Sequence, residues 1–281
     1  MTLEHRSDPY GHWLFTAPNG DQLRVVPERG GLVTGWRCDG AERLYFDAER
    51  FADPSKSVRG GIPVLFPVCG NLPDNRLVLS EGTFAMAQHG FARDLPWQLE
   101  GLSDGRGIRL TLEDSPQSRA SYPFAFQLQL EFRLEPQALA IRARLEHRQG
   151  AAGEAMPFAL GLHPYLAVSQ LEAAALQGLP PEAFDHQCMA AAATAPLLER
   201  LPEGIDLLVQ PAGAVSLRDR ATGTAVALSA APPWDRVVVW SDPPRPMVCL
   251  EPWSANRGAL TLCLAPGEAQ EFACRYTLLA G

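Results

Sequence analysis

The feature that most constrains this chain is a two-residue alternation running from Phe124 to Leu145. Phe124, Phe126, Leu128, Leu130, Phe132 and Leu134 alternate with Ala125, Gln127, Gln129, Glu131 and Arg133. After Glu135-Pro136-Gln137 the pattern resumes, with Leu139, Ile141, Ala143 and Leu145 set against Arg142, Arg144 and Glu146. Successive side chains on a strand point to opposite faces, so the pattern gives one apolar face and one wet face. A helix needs apolar residues three and four apart, and the segment lacks that spacing. It predicts a long antiparallel hairpin whose apolar face must be covered by another layer.

Shorter segments repeat the theme. His12–Ala17 and Leu23–Val26 flank the turn Pro18-Asn19-Gly20-Asp21, and Gly31–Arg37 and Leu44–Phe46 flank Asp39-Gly40. Trp97–Leu102 and Ile108–Leu112 flank a glycine-containing turn, as do Val215–Arg218 and Ala225–Leu228. Further strands are expected at Arg236–Trp240, Pro246–Trp253, Ala259–Leu264 and Glu268–Leu279. Val237, Val238 and Val239 in succession imply burial on both faces. Leu171–Leu176 reads as a short helical turn, and Ala190–Ala195 as a loop or strand edge. The chain holds about fifteen candidate strands and no long helix, which predicts a large all-β antiparallel sandwich. With 281 residues, 46% of them hydrophobic, the chain can fill a sizeable core as one unit spanning residues 1–281.

Charge and cysteine usage exclude several classes. The net charge of −8 argues against nucleic-acid or anionic-membrane partners, which require basic surfaces. No two of the six cysteines have C-x-x-C spacing, and neither His89 nor His163 has a cysteine at ligand spacing. No metal is therefore expected. Cys38, Cys249 and Cys263 lie in apolar surroundings, so free buried thiols in a reducing compartment are expected. The first residues lack the apolar core of a signal peptide, and no apolar run reaches membrane-spanning length. These readings predict a cytoplasmic protein.

Two residues stand out for chemistry. His163 lies in Gly161-Leu162-His163-Pro164-Tyr165, where proline holds the preceding residue in extended geometry. A lone histidine in an apolar run is more often structural than catalytic, yet its ordinary pKa of about 6.5 suits proton transfer. Glu251 lies in Val248-Cys249-Leu250-Glu251-Pro252-Trp253, and an unpaired buried carboxylate is costly. It needs either a task or a partner such as Arg257. Together the imidazole and carboxylate make a candidate general acid and general base.

A second feature is the irregular stretch from Arg59-Gly60-Gly61-Ile62-Pro63 to Gln88-His89-Gly90-Phe91-Ala92-Arg93. Glycine and proline punctuation argues against regular helix there and for backbone that shapes a pocket. His89 is either a ligand-binding or a turn histidine. Arg59 and Arg93 suit bidentate binding of an anion, or surface ion pairs. Asp206 is a cap or a sugar ligand, and Trp240, Trp253 and Phe66 are stacking platforms or core. No G-x-S-x-G, Walker A or G-x-G-x-x-G motif is present.

Taken in order, Arg59-Gly60-Gly61-Ile62-Pro63 with Phe66-Pro67, Gln88–Trp97, Leu162-His163-Pro164-Tyr165, Val237–Trp240 and Cys249–Trp253 resemble the aldose 1-epimerase (mutarotase) superfamily. The branch most resembled is that of the hexose-6-phosphate mutarotases, also called glucose-6-phosphate 1-epimerases. The proline of His163-Pro164 and Asn75-Arg76 resemble instead the galactose-mutarotase side. The resemblance implies a galactose mutarotase-like β-supersandwich and an isomerase that interconverts the α and β anomers of a hexose, such as glucose 6-phosphate, without a cofactor. It implies Glu251 as general base and His163 as general acid, with Arg59, Gln88, His89, Arg93 and Asp206 holding substrate. Asp185 competes with Asp206 for the hydroxyl-binding role. The implied partner is a small sugar or sugar phosphate; the sequence does not fix the oligomeric state, and a monomer is favoured. The alternatives are an epimerase of non-phosphorylated aldoses and a non-catalytic carbohydrate-binding protein on the same fold.

Overall fold

The computed structural model describes residues 2–148 and 155–279. Its core layer is the predicted hairpin. Phe126–Glu135 pairs with Ala138–His147 in unbroken register, and burial alternates along Phe126–Glu135 without exception. Phe126, Leu128, Leu130 and Phe132 are fully buried. Each such side chain contributes about 1.5–3 kcal/mol relative to exposure. The turn is tighter than expected, since only Pro136 and Gln137 separate the strands and Gln137 takes a positive φ of 56°.

This hairpin is the centre of an eight-stranded sheet. Its order runs Ala174–Gln177, Val215–Asp219, Ala225–Ala231, Ala269–Leu279, Ala138–His147, Phe126–Glu135, Gly107–Glu113 and Gln98–Gly101. The strand latest in sequence therefore lies in the interior of the sheet, between Ala225–Ala231 and Ala138–His147. A second eight-stranded sheet faces it across the main core. Its order is Ala190–Ala193, Glu182–Asp185, Asp206–Val209, Arg236–Trp240, Met247–Trp253, Gly161–Leu162 and Val64–Leu65, and Tyr165–Ala167 also pairs with Met247–Trp253. Thr2–Arg6 to Ala41–Glu42 form a five-stranded sheet at one end. The fold is the expected β-sandwich, and the described residues include no long helix.

The two layers are joined by apolar packing and by buried polar tips. Val237, Val239, Val248 and Leu250 point from the second sheet into the core shared with Phe126, Phe132 and Phe272. The Tyr276 hydroxyl, on the strand Ala269–Leu279, donates to the Leu250 carbonyl at 2.7 Å. Phe66, offered above as a stacking platform, is core instead: it meets Phe126 edge-on at 5.1 Å.

Other expectations need correction. The described residues hold 25 strands, because many are two to four residues long and too short for a periodicity to register. Leu171–Ala173 is one 3-10 turn, and Ala174–Gln177 is a strand rather than its continuation. Ala190–Ala193 is a strand edge, one of the two readings offered, but the segment ends there and Thr194–Glu199 is a short helix. Of Ala259–Leu264 only Leu262–Leu264 is strand. All six cysteines are free, but Cys188 and Cys263 are exposed rather than buried. No helix among the described residues is long and apolar enough to cross a membrane.

Candidate active site

The site is built on the second sheet, on the face turned away from the main core. In the strand Met247–Trp253, Val248 and Leu250 enter the core, so Cys249, Glu251 and Trp253 project the other way. Gly161 pairs with Trp253 and Tyr165 pairs with Cys249. The position midway between them is His163, which that register sets opposite Glu251. On the other side Val238 pairs with Glu251, Trp240 with Cys249, and Asp206 with Trp240. Directly paired residues share a face. Asp206, Val238, Trp240, Glu251, Trp253, His163 and Tyr165 accordingly line one cleft of about 190 Å³.

His163 and Glu251 meet as the register requires. Nε2 of His163 lies 3.3 Å from Oε1 of Glu251, with 12% and 1% of their side-chain surfaces exposed. The imidazole stacks on Tyr165, with ring centroids 4.7 Å apart, and meets Trp240 edge-on. Glu251 accepts a hydrogen bond from Trp253 Nε1 at 3.0 Å. Burial pushes the His163 pKa down to about 3, helped by the charges of Arg93 and Arg59. Burial also pushes Glu251 well above the ordinary carboxylate range, with Asp206 adding to the rise and Trp253 opposing it. Both shifts have burial as their largest cause, and both disfavour the charged form.

The irregular stretch forms the opposite wall. His89 has a positive φ of 64° and is followed by Gly90, whose Cβ would stand 2.1 Å from the Phe66 carbonyl oxygen. Only glycine fits that approach. His89 and Gly70 bond reciprocally: His89 N donates to Gly70 O at 2.8 Å, and Gly70 N donates to His89 Nδ1 at 3.0 Å. Accepting at Nδ1 places the ring proton on Nε2, and His89 lines the cleft as a neutral donor. Burial, with the nearby His163, holds its pKa well below the ordinary value. Gln88, Arg59 and Arg93 line the same wall. Arg59 is 3.3 Å from Asp242 and lies over the Trp240 ring, and Arg93 donates to the Gln88 carbonyl at 2.9 Å.

Asp206 reaches the cleft, whereas Asp185 does not. Asp185 is buried beneath its own loop, accepting from Gln187 N at 2.8 Å and from Arg200 at 3.3 Å. Asp206 takes a bond from His186 Nδ1 at 2.8 Å and one from Arg257 at 3.3 Å. Arg257 is thus not the partner of Glu251 that the sequence offered; His163 and Trp253 are. Its stem fills the space a Cβ on Gly70 would need, 2.4 Å away. Arg257, His186, Ser57 and Tyr165 were not chosen from sequence as site residues. Arg257 and Ser57 sit in no motif, and the signal in His186 and Tyr165 was only adjacency to Asp185 and His163. Asn75-Arg76 lies outside the cleft. The fold also brings together donors that sequence spacing kept apart: one ligand atom each of His163, Cys249 and Glu251 lie within 4.8 Å of one another.

A sandwich carrying this paired imidazole and carboxylate on one sheet face is a member of the aldose 1-epimerase family, whose model matches residues 14–277. That is an isomerase family, and the chain belongs to it. Among curated relatives, a protein of Cenchrus ciliaris named "Putative glucose-6-phosphate 1-epimerase" is 28% identical over 167 residues. The match covers 56% of this chain and 46% of that protein, so the chain spans about half of the relative's length. Among solved structures, the Slr1438 protein of Synechocystis sp. PCC 6803 superposes with a TM-score of 0.87 at 30% identity, covering 100% of this chain and 96% of the other. A galactose mutarotase-like protein of Clostridium acetobutylicum gives a TM-score of 0.81 at 16% identity, covering 100% and 98%. That second likeness bears on fold alone.

Proposed function

We propose that this protein is a mutarotase that interconverts the α and β anomers of a hexose 6-phosphate such as glucose 6-phosphate. The observation that carries the reading is the buried His163–Glu251 pair at 3.3 Å, in a cleft lined by Arg59, Arg93 and Arg257. Ring opening needs a base at the anomeric hydroxyl and an acid at the ring oxygen, acting together. Glu251 as carboxylate takes the O1 proton while imidazolium His163 gives its proton to O5. The C1–O5 bond breaks, the aldehyde forms, rotation about C1–C2 presents the other face, and closure reverses both transfers. The pair holds one proton before and after each half-reaction, so no net proton crosses to solvent.

The remaining residues position the sugar. His89 donates from Nε2, Asp206 accepts from a hydroxyl, and Gln88 offers a side-chain amide. Arg257 pairs with Asp206 beside the sugar-holding residues, and Arg59, which shares its charge with Asp242, and Arg93 are the cations we assign to a phosphate. The reaction is internal to one sugar and needs no cofactor. We place this activity in one catalytic unit that works as a monomer on a small-molecule substrate.

NMR saturation transfer on α-glucose 6-phosphate and on α-galactose tests the reading. Anomer exchange well above buffer is expected for both, and faster for the phosphorylated sugar. Equal acceleration of the neutral sugar would move the assignment to the non-phosphorylated epimerases. No acceleration of any aldose, with sugar still bound, would leave a carbohydrate-binding protein.

A further inference from the structure

The strand that holds the proposed base also carries a buried thiol beside it, and with the proposed acid the three groups form a donor set of a different kind. Cys249 and Glu251 are two apart on one strand, so both side chains leave the same face. His163 faces them from the adjoining segment, because Tyr165 pairs with Cys249 and the register then sets His163 against Glu251. One ligand atom from each lies within 4.8 Å of the other two. In a tetrahedral zinc site, bonds of about 2.0–2.3 Å put ligand atoms roughly 3.3–3.8 Å apart, so a contraction of about 1 Å completes the set. Nδ1 of His163 is buried without a hydrogen-bond partner, so a turn of the ring breaks no bond at that nitrogen. Among the described residues the Cys249 thiol makes one hydrogen bond, a long one of 3.9 Å to Met247 Sδ.

We propose that His163, Cys249 and Glu251 form a binding site for a thiophilic divalent cation such as Zn2+, entered from the cleft and leaving one coordination position open. Thiolate, imidazole and carboxylate together favour zinc-like ions over Mg2+ or Ca2+. The charge balance suits a buried site: the ion's two positive charges meet one thiolate and one carboxylate beside a neutral imidazole. Two protons leave to solvent, one from the thiol and the one shared by His163 and Glu251. Occupation takes the acid and the base out of action together, so the cation is a reversible inhibitor. That last consequence rests on the mutarotase reading, whereas the binding itself does not.

Cobalt(II) is the probe. Titrating Co2+ into the full-length protein should give one equivalent of a near-ultraviolet thiolate-to-cobalt band, displaced by Zn2+. Cys249→Ser should lose the band and weaken binding at least ten-fold. A double variant at the exposed thiols, Cys188→Ser with Cys263→Ser, should keep it. His163→Ala, read by binding alone, should weaken Co2+ at least ten-fold and serves if Cys249→Ser does not fold. Zn2+ should abolish anomer exchange reversibly by chelator, with at least ten-fold resistance in Cys249→Ser. Absence of the band, or its survival in Cys249→Ser, overturns the proposal. A band in a protein with no mutarotase activity leaves the metal site standing and removes the enzymatic reading; activity without a band does the reverse.

Discussion

The two eight-stranded sheets each carry a cross-strand pair of acid and base, and the pairs behave in opposite ways. On the outer face of the sheet built around the long hairpin, Arg109 is the register partner of Glu131 and meets it at 2.6 Å. On the cleft face of the other sheet, His163 stands opposite Glu251 at 3.3 Å. Burial pushes Glu131 up, but hydrogen bonds from Arg109 and Arg133 outweigh it and leave the carboxyl below its ordinary range. Glu251 has no cation at hydrogen-bonding distance, and burial pushes it well up. Strand geometry supplies the same encounter in both places. What lies over the face decides whether the result is a solvated ion pair or a pair poised for proton transfer. The hairpin-sheet pair is open to solvent, with 34% and 20% of its side-chain surfaces exposed; over the other lie the His89 turn and the arginines.

The largest expected effect separates the pairs by activity. Glu251→Gln and His163→Ala should each lower kcat by roughly 10²-fold or more, the usual scale for a general acid or base. Glu131→Gln should leave kcat unchanged. Comparable losses from Glu131→Gln would erase the distinction drawn here.

Next in size is the cleft's cationic wall. Arg59→Ala or Arg93→Ala should raise KM for glucose 6-phosphate by roughly 10- to 100-fold, the equivalent of a hydrogen bond to a charged group of about 1.5–3 kcal/mol. KM for a neutral hexose should change far less. Equal losses on both sugars would make these arginines structural.

The third effect is in pH dependence. The Glu251 pKa is raised on folding, so its contribution to stability is fully present below about pH 4.5 and is lost as pH rises through the raised value. His163 is lowered to about 3, so its contribution is present above about pH 6.5 and is lost as pH falls towards 3. Chemical unfolding of Glu251→Gln between pH 5 and pH 9 should therefore show less alkaline destabilisation than the parent, by about 1.4 kcal/mol per unit of displacement. Parallel curves for the two proteins would refute the raised carboxyl. The smallest effect belongs to the solvated pair: Glu131→Gln should change unfolding free energy by about 1 kcal/mol or less, and less still in high salt.

The same contrast explains what could be read in the sequence. The hairpin was legible because one face meets water, so polarity alternates at the strand period. The strand that carries Glu251 is buried on both faces, and Met247–Trp253 shows no alternation at all. Its placement was reached through resemblance around His163 and Glu251. That the two residues face each other is a property of register between distant segments, which no local pattern encodes. Arg257 was weighed only as a partner for Glu251, because nothing beside it in the chain announces that it clamps Asp206. Cys249 was taken as core for the same reason: its neighbours in sequence are apolar, while its neighbours in space include His163 and Glu251.

The position of Ala269–Leu279 inside its sheet carries a consequence for how the protein is made. Until that segment emerges from the ribosome, Ala225–Ala231 and Ala138–His147 have no strand between them, and each presents an open edge. The Tyr276 hydroxyl that anchors the backbone of the site strand at Leu250 is absent as well. The hairpin sheet cannot close during synthesis of the first 260 or so residues, although every strand of the site sheet precedes Ser254, so assembly of the hairpin sheet is a late, largely non-local event of the slow kind typical of β topologies. Nascent chains stalled short of Ala269 should expose sheet edges to chaperones or to one another.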